Sequence, residues 1–374
     1  DLAGHLVDHS MTQPTAPHPS GYWTLLTSGL TVVIALVGAL LIQPRLSERQ
    51  LKIDDQYILT ATEVRSLPAG TLAVVLDRSP GEDHNDFKYR LLELVLKRSG
   101  RPFVLGLSEV DVSQDEAIAA LEQGFVFDSA GLRTFTRLGR NPFALSVGIY
   151  GAGVDLNRRL RAVPIPVTGG ILGLRSGWTH RSQIKRLATI RNKQDLRDIV
   201  LLQGVGWSDV NIFDSAGLRT FTARSENLFR LVDHQRVQLF PRGIAELERE
   251  EQLMASSTSG TTLDPNLLLA YPYAGFFYVS PDNHALAYAI QRGFQRAIAD
   301  GSYQQLVEEL IFTPWLRRTL LLKDRRVIVL PNSEAADVLE EVDSRHWIVP
   351  WHELLNGGIQ TGKQLCTEPK LKAL

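Results

Sequence analysis

Short apolar runs alternate with longer amphipathic stretches from residue 72 onward, and this alternation constrains the fold more than any other feature of the sequence. Residues 72–76 read LAVVL, the pattern of a buried strand, and residues 87–99 carry apolar side chains on one helical face before Gly100. A second apolar run begins at 103–105, and a second helix with a capping box is expected over 113–123. Strand and helix in alternation predict an α/β fold with a parallel sheet covered by helices.

The same alternation returns in the middle of the chain. Further strands and helices are predicted before the aromatic stretch 267–279 and a long helix over 284–299. The predicted strands are 199–202, 218–222 and 237–240, and the predicted helices are 183–198, 225–233 and 243–255. A length of 374 residues suits two lobes that each close a core.

Charge and composition exclude several classes of protein. Lys and Arg total 40 against 41 Asp and Glu, and this balance argues against a nucleic-acid binder. The lone Cys366 excludes an internal disulfide and a cysteine-based zinc cluster, and the nine histidines show no metal-binding spacing. No nucleotide-binding fingerprint occurs, so we expect neither a metal nor a cofactor.

An uncharged apolar run lies near the start of the sequence. Residues 23–42 would span about 30 Å as a helix, which matches the hydrocarbon core of a bilayer. We therefore predict a tail over 1–22, a signal peptide or membrane anchor over 23–43 and a linker over 44–69. Arg45, Arg49 and Lys52 follow the run, which under the positive-inside rule favours a cytoplasmic body, although long domains translocate regardless of charge.

One internal repeat has no similarity around it. The decamer FDSAGLRTFT occurs at 127–136 and again at 213–222. The second copy fits a helix end, Gly217 and a strand. The first copy interrupts the path from Gly124 to Asn141, so we interpret it as an insertion, a recent duplication or an assembly error rather than a functional repeat.

Several segments in order resemble the bacterial family 3 solute-binding proteins, which have the type II periplasmic-binding-protein fold. The resemblance covers about residues 70–350 and is nearest to a branch described as amino-acid-transporter substrate-binding-like proteins. The segments are DFKYRLLELVLKRSG, LNRRLRAVPIPVTGGILGLR, LLQGVGWSDVNIFDSAGL, VQLFPRGIAELEREE, LLLAYPYAGFFYVSPDN and RRVIVLPN.

The resemblance implies two α/β lobes, each with a central sheet, and a ligand site in the cleft between them. Lobe I would comprise 70–164 and 280–350, and lobe II would comprise 165–279. A C-terminal tail without periodicity would follow over 351–374. Hinge motion of the lobes would close the cleft on the ligand.

The resemblance also suggests a residue for the ligand's α-carboxylate. In the family, an arginine of lobe I shortly before the crossover takes this group, because a guanidinium fork matches a carboxylate. The matching residue is Arg158, with Arg159 as an alternative since the spacing to Pro166 is shorter than in the family. A solvated basic turn would also explain both arginines.

A glycine-containing turn forms the second candidate site. Gly204, Val205, Gly206 and Trp207 lie at a predicted strand-to-helix junction, where free backbone amides favour an anion. Val205 stands where the family often has Ser or Thr, which weakens the case for a hydroxyl contact. A helix start with Trp207 in the core is the alternative.

The third candidate lies at the end of a predicted strand, where open α/β sheets bind ligands. Arg242 and Glu246 could take an anionic group and an amine, or could pair with each other one helical turn apart. Arg175 could line the crossover, although its position favours an exposed strand end.

These features predict a non-catalytic, extracytoplasmic solute-binding protein. It would capture a small polar, amino-acid-like molecule as a monomer and deliver it to, or report it to, a transporter or sensor of the membrane. Residues 23–43 would direct it to the periplasm or tether it to the inner membrane. Two alternatives stay open: a cyclohexadienyl-dehydratase-like enzyme with Glu246 or Glu248 as its acid, and a degenerate paralogue that acts as an interaction domain.

Overall fold

The structure is a computed structural model, and it describes residues 63, 67–68, 70–78, 82–109, 112–124, 126–127, 133–134 and 144–374. The predicted tail 1–22, the apolar segment 23–43, most of the linker 44–69 and most of the first decamer copy lie outside these residues. Within the described part of the chain, no helix has the length and apolar character needed to cross a membrane.

Strands and helices alternate through the described residues, as the sequence predicts. In chain order the strands are β1 (Leu72–Leu76), β2 (Phe103–Leu107), β3 (Val126–Phe127), β4 (Arg133–Thr134), β5 (Val147–Gly151), β6 (Arg161–Val163), β7 (Leu174–His180), β8 (Val200–Gly204), β9 (Arg219–Ala223), β10 (Phe240–Gly243), β11 (Thr261–Leu263), β12 (Leu267–Ala270), β13 (Gly275–Val279) and β14 (Arg326–Val329).

The helices cover both sheets and the C-terminal region. In chain order they are α1 (Phe87–Ser99), α2 (Gln114–Gln123), α3 (Val154–Arg159), α4 (Ile184–Leu187), α5 (Asp209–Ser215), α6 (Leu228–Asp233), α7 (Leu247–Met254), α8 (His284–Ala299), α9 (Ser302–Leu310), α10 (Pro314–Leu320), α11 (Ala336–Glu341), α12 (Trp351–Leu355) and α13 (Gly362–Leu365). The capping box expected for α2 is formed by Ser113 and Glu116.

Two mixed sheets organise the fold. The first has the order β2-β1-β5-β13-β6, in which β1 is parallel to β2 and β5, and β13 runs antiparallel to β5 and β6. The second has the order β10-β7-β12-β14, with β11 also paired to β7. The chain passes directly between the sheets through residues 164–173 and 271–274, and it passes again from β13 to β14 through the mostly helical residues 280–325.

The described structure differs from the predicted lobe bounds in two places. The aromatic stretch 267–279 is divided at Pro272 into β12 of the second sheet and β13 of the first, although 165–279 was expected to form one lobe. Strand β14 lies parallel to β12, although 280–350 was expected to join the first lobe only. Both strands are apolar, and an apolar run does not reveal which sheet it joins.

The C-terminal residues also differ from the expected tail. Helices α12 and α13 pack on the body of the protein, and Leu354, Leu365 and Leu371 are almost completely buried. The turn at Gly357 and Gly358 separates these two short helices, so their buried residues show no continuous helical period.

The two copies of the decamer differ in structure at their first residue and agree at the other two residues described in both. In the second copy Phe213 lies in α5, Gly217 has φ of +71°, and β9 follows, as predicted. In the first copy Phe127 belongs to strand β3, which pairs with Arg133 and Thr134 of β4. The first residue of the decamer is thus in a strand in one copy and in a helix in the other, whereas Arg133 and Thr134 lie in a strand as their counterparts Arg219 and Thr220 do.

Close packing of α8 against α1 stabilises the first sheet's helical layer, and we expect Gly293→Ala to disrupt it. A Cβ atom at Gly293 would lie 1.9 Å from the carbonyl oxygen of Val95, so the helices must separate. Overpacking of this kind costs about 1–3 kcal/mol of the free energy of unfolding, measurable by urea denaturation.

The exposed Arg292→Ala on the same helix is the control and should stay within about 0.5 kcal/mol of the wild type. Equal stability of the two variants would show that the helices do not approach each other this closely.

Candidate functional site

A cavity of about 480 Å³ lies where the two sheets and their crossings meet. Residues of both sheets contribute to its wall, because β5 belongs to the first sheet and β7 and β10 to the second. Its polar and aromatic lining consists of Gln114, Tyr150, Arg175, Trp207, Ser208, Asp209, Arg242, Glu246 and Tyr273. The cavity therefore combines aromatic rings with charged groups of both signs.

Arg175 lies at the start of β7 and is only 5% exposed. Its Nη2 atom is 3.1 Å from Oδ1 of Asp209, and its Nη1 atom donates a hydrogen bond of 3.3 Å to Oε2 of Glu246. Its guanidinium carbon lies 5.6 Å from the ring centroids of Tyr271 and Tyr273, within range of a cation–π contact. The buried charge is therefore compensated by two carboxylates and two aromatic rings.

Asp209 opens helix α5 and is also buried. It accepts a hydrogen bond from the hydroxyl group of Tyr271, and the helix N-terminus favours its negative charge. Burial raises the pKa of Tyr271 well above its ordinary value, so the phenol remains a proton donor to the carboxylate. Tyr271 and Arg175 together fix the position of the Asp209 side chain.

Arg242 in β10 has its own pair of carboxylate partners. Its Nε atom donates to Oε1 of Glu250 at 2.5 Å, and its Nη2 atom donates to Oε1 of Glu246 at 2.6 Å. The guanidinium carbon lies 4.6 Å from the ring centroid of Trp207. Glu250 also accepts a hydrogen bond of 2.7 Å from Nε1 of Trp178; burial raises the pKa of Glu250, and Arg242 opposes that shift.

Glu246 connects the two guanidinium groups. One of its oxygens accepts from Arg242, and the other accepts from Arg175 and from the backbone amide of Gly243 at 2.9 Å. Its side chain is 37% exposed, whereas that of Arg175 is 6% exposed and that of Arg242 is 13% exposed. Two buried cations thus share one partly exposed carboxylate, and each keeps a second, buried carboxylate of its own.

The structure brings together four of the candidates named from the sequence. Gly206, Trp207, Arg242 and Glu246 all line the cavity. The last two form the mutual pair that was one of the two interpretations of their spacing.

The other three candidates lie outside the lining of the cavity. Gly204 is buried beneath Trp207, whose indole would be 2.3 Å from an added Cβ atom, and Val205 is 64% exposed. Arg158 is exposed on α3, and the neighbouring Arg159 pairs with Glu122 at 2.6 Å.

Sequence reasoning underestimated Arg175 and did not identify Asp209 or Ser208 as site residues. The expectation that Arg175 lies at an exposed strand end is corrected by its burial. The available signal was a positive charge within the apolar run ILGLRSGW, which requires a buried partner if the strand is internal. That partner, Asp209, is distant in sequence and is not revealed by periodicity.

The described residues contain no group of three or more His, Cys, Asp or Glu side chains arranged to hold a metal ion. The acidic side chains of the cavity are instead engaged by arginines and by Tyr271. Guanidinium groups such as those of the cavity can donate hydrogen bonds to a carboxylate, and its carboxylates can accept hydrogen bonds from an ammonium group.

No family model matches the chain, and no curated protein matches it. The solved structures that resemble it include substrate-binding proteins of amino-acid ABC transporters. A putative binding component of an ABC transporter from Wolinella succinogenes, complexed with lysine, has a TM-score of 0.44 and 16% identity over 66% of this chain and 99% of its own.

Two reconstructed ancestral proteins also resemble the chain. An ancestral arginine-binding protein bound to arginine has a TM-score of 0.43 and 15% identity over 64% of this chain and 98% of its own. An ancestral amino-acid-binding protein described as a precursor of cyclohexadienyl dehydratase has a TM-score of 0.42 and 12% identity over 65% of this chain and 95% of its own.

The different burial of the carboxylates predicts different effects on stability. Asp209→Ala leaves the buried Arg175 without its buried partner, so we expect a loss of about 3 kcal/mol or more. Glu246→Ala leaves each arginine with one carboxylate and removes a partly exposed group, so we expect a loss of about 1 kcal/mol or less. Urea denaturation of both variants measures the two losses of unfolding free energy. A larger loss for Glu246→Ala than for Asp209→Ala would contradict the assignment of Asp209 as the buried partner of Arg175 and of Glu246 as the partner shared by both arginines.

Proposed function

We propose that this chain is a non-catalytic solute-binding protein that holds a small polar, amino-acid-like molecule in the cavity between its two sheets. The observation that carries the proposal is the convergence of Arg175, Arg242, Asp209 and Glu246 on one cavity. Its volume of about 480 Å³ falls within the usual range for small-molecule sites.

The lining matches the groups of an amino acid. A guanidinium group of Arg175 or Arg242 suits the α-carboxylate, because planar N–H donors match two carboxylate oxygens. Asp209 or Glu246 suits the ammonium group, and the rings of Trp207 and Tyr273 offer apolar surface to a side chain. Arg158, Gly204 and Val205 do not line this cavity, so the proposal gives them no contact with the ligand.

The arrangement of the two sheets supports a two-lobed fold of the type II periplasmic-binding kind. Lobe I would contain the first sheet and lobe II the second, and the crossings at 164–173 and 271–274 would serve as hinges. Gly169 and Gly170 lie in the first crossing with φ of +58° and +89°, backbone conformations that favour glycine. Movement about these crossings would open and close the cavity.

The same proposal covers location and partners. The protein would act outside the cytoplasm as a monomer, and residues 23–43 would serve as its signal peptide or inner-membrane anchor. Its partner would be an amino-acid transporter of the ABC type or a membrane sensor. The even charge balance of the chain fits a binder whose charges are concentrated in its cavity.

An enzymatic role for Glu246 or Glu248 is less well supported. A general acid must direct a proton toward the substrate. Both oxygens of Glu246 instead accept hydrogen bonds from arginines and a backbone amide. Glu248 does not line the 480 Å³ cavity and accepts a hydrogen bond of 2.6 Å from Thr313.

A second candidate function follows from the ion pairs that the arginines of the cavity form within the protein. Because Arg175 and Arg242 already have carboxylate partners, the cavity could be closed to solutes, and the chain would then act as an interaction domain. The two candidates differ in one measurable property, which is saturable binding of a small molecule.

Thermal unfolding and calorimetric titration of the full-length chain against the twenty L-amino acids and a set of organic acids test the proposal. We expect at least one compound to bind saturably and to raise the Tm, since a ligand at about 100 times its Kd adds about 2.7 kcal/mol. Arg175→Gln should weaken that binding more than Arg98→Gln, whose guanidinium pairs with Asp300 away from the cavity.

A folded protein that binds no compound of the panel would contradict the proposal and favour the interaction domain. Equal binding by Arg175→Gln and Arg98→Gln would place the ligand outside this cavity. Trp207→Ala serves as a second cavity variant if Arg175→Gln fails to fold, because removal of the indole leaves the buried Arg175–Asp209 pair intact.

A further inference from the structure

We infer that Glu246 is an internal substitute for the carboxylate of the ligand, so that a ligand binds by displacing it from Arg175 and Arg242. The inference rests on the proposed function and adds the ligand class, which is a molecule with a free carboxylate. It also assigns Glu246 a competing role rather than a direct contact with the ligand's amine.

The first argument is that each arginine has one buried carboxylate partner of its own and shares a second, more exposed one. Arg175 pairs with Asp209 and Arg242 pairs with Glu250, and all four of these side chains are 6–13% exposed. Glu246 is 37% exposed and contacts both arginines. When Glu246 leaves, each guanidinium keeps one buried counter-charge and gains free N–H donors, so neither buried cation is left unpaired.

The second argument is the geometry of the bridge. The two oxygens of Glu246 contact different guanidinium groups, at 2.6 Å for Arg242 and 3.3 Å for Arg175. A ligand carboxylate has the same shape and charge, so it can replace Glu246 without changing the net charge of the cluster. A neutral amide or a cation offers no such exchange, and the site therefore selects for carboxylates.

The third argument is the space available to the displaced side chain. Glu246 and Arg242 line the 480 Å³ cavity and also a second cavity of about 730 Å³. Glu246 directly precedes α7, so rotation of its side chain does not require the helix to unfold. The hydrogen bond from the amide of Gly243 is the remaining contact that holds it over the arginines.

Competition of this kind predicts that Glu246→Gln binds carboxylate ligands more tightly than the wild type. The glutamine keeps the size of the side chain and removes the charge that occupies the guanidinium groups. If Glu246 covers the arginines in about nine of ten molecules, its removal increases the apparent affinity about tenfold.

Calorimetric titration of the full-length wild type, Glu246→Gln and Glu251→Gln with the twenty L-amino acids measures this effect. Glu251→Gln is the matched control, because Glu251 lies on α7, the helix that Glu246 directly precedes, lines neither cavity and contacts Trp315. The α-carboxamides of the same amino acids form the second probe set, since they lack the group that competes with Glu246.

We expect Glu246→Gln to bind at least one amino acid about tenfold more tightly, Glu251→Gln to match the wild type, and the carboxamides to gain nothing. Binding by Glu246→Gln alone would also support the inference. Equal or weaker binding of amino acids by a folded Glu246→Gln protein, with binding by the wild type, overturns the inference and leaves the proposed function standing. Absence of binding by both folded proteins overturns both.

Discussion

The contact between Arg175 and Asp209 is the interaction on which the site depends. Both groups are buried where the second sheet meets the crossings, and an unpaired charge there would be strongly unfavourable. Tyr271 fixes Asp209, and Asp209 in turn holds Arg175 at the cavity wall. The position of one guanidinium group is therefore determined by residues from β7, α5 and the second crossing.

A second arginine extends this arrangement into a network. Arg242 repeats the pattern with Glu250 as its buried partner, and Glu246 joins the two pairs. The network contains two cations and three carboxylates, of which only Glu246 has substantial access to solvent. Under the proposed function, the buried pairs would keep their positions and the partly exposed Glu246 would be the group that a ligand displaces.

Much of the fold could be predicted from the sequence, because its elements have a clear period. The strand at 72–76, the helix at 87–99 and the long helix at 284–299 occur where the pattern placed them. The predicted helix over 183–198 is instead broken into short turns, since the side chains of Asn192 and Asp195 accept hydrogen bonds from backbone amides.

The candidate site was only partly predictable. Arg242 and Glu246 could be found because ligands bind at strand ends and the two residues are four apart. Arg175 and Asp209 form a pair between elements distant in sequence, and no local pattern indicates such a contact. The sheet membership of β13 and β14 was missed for the same reason, since pairing partners depend on the tertiary fold.

Amide hydrogen exchange of the full-length chain, with and without a mixture of the twenty L-amino acids, tests the central claim most directly. A ligand held by the network should slow exchange in residues 206–209 and 242–247, while the surface helix α11 keeps its rate. Unchanged exchange at both segments, or protection confined to residues outside the cavity, would contradict the account.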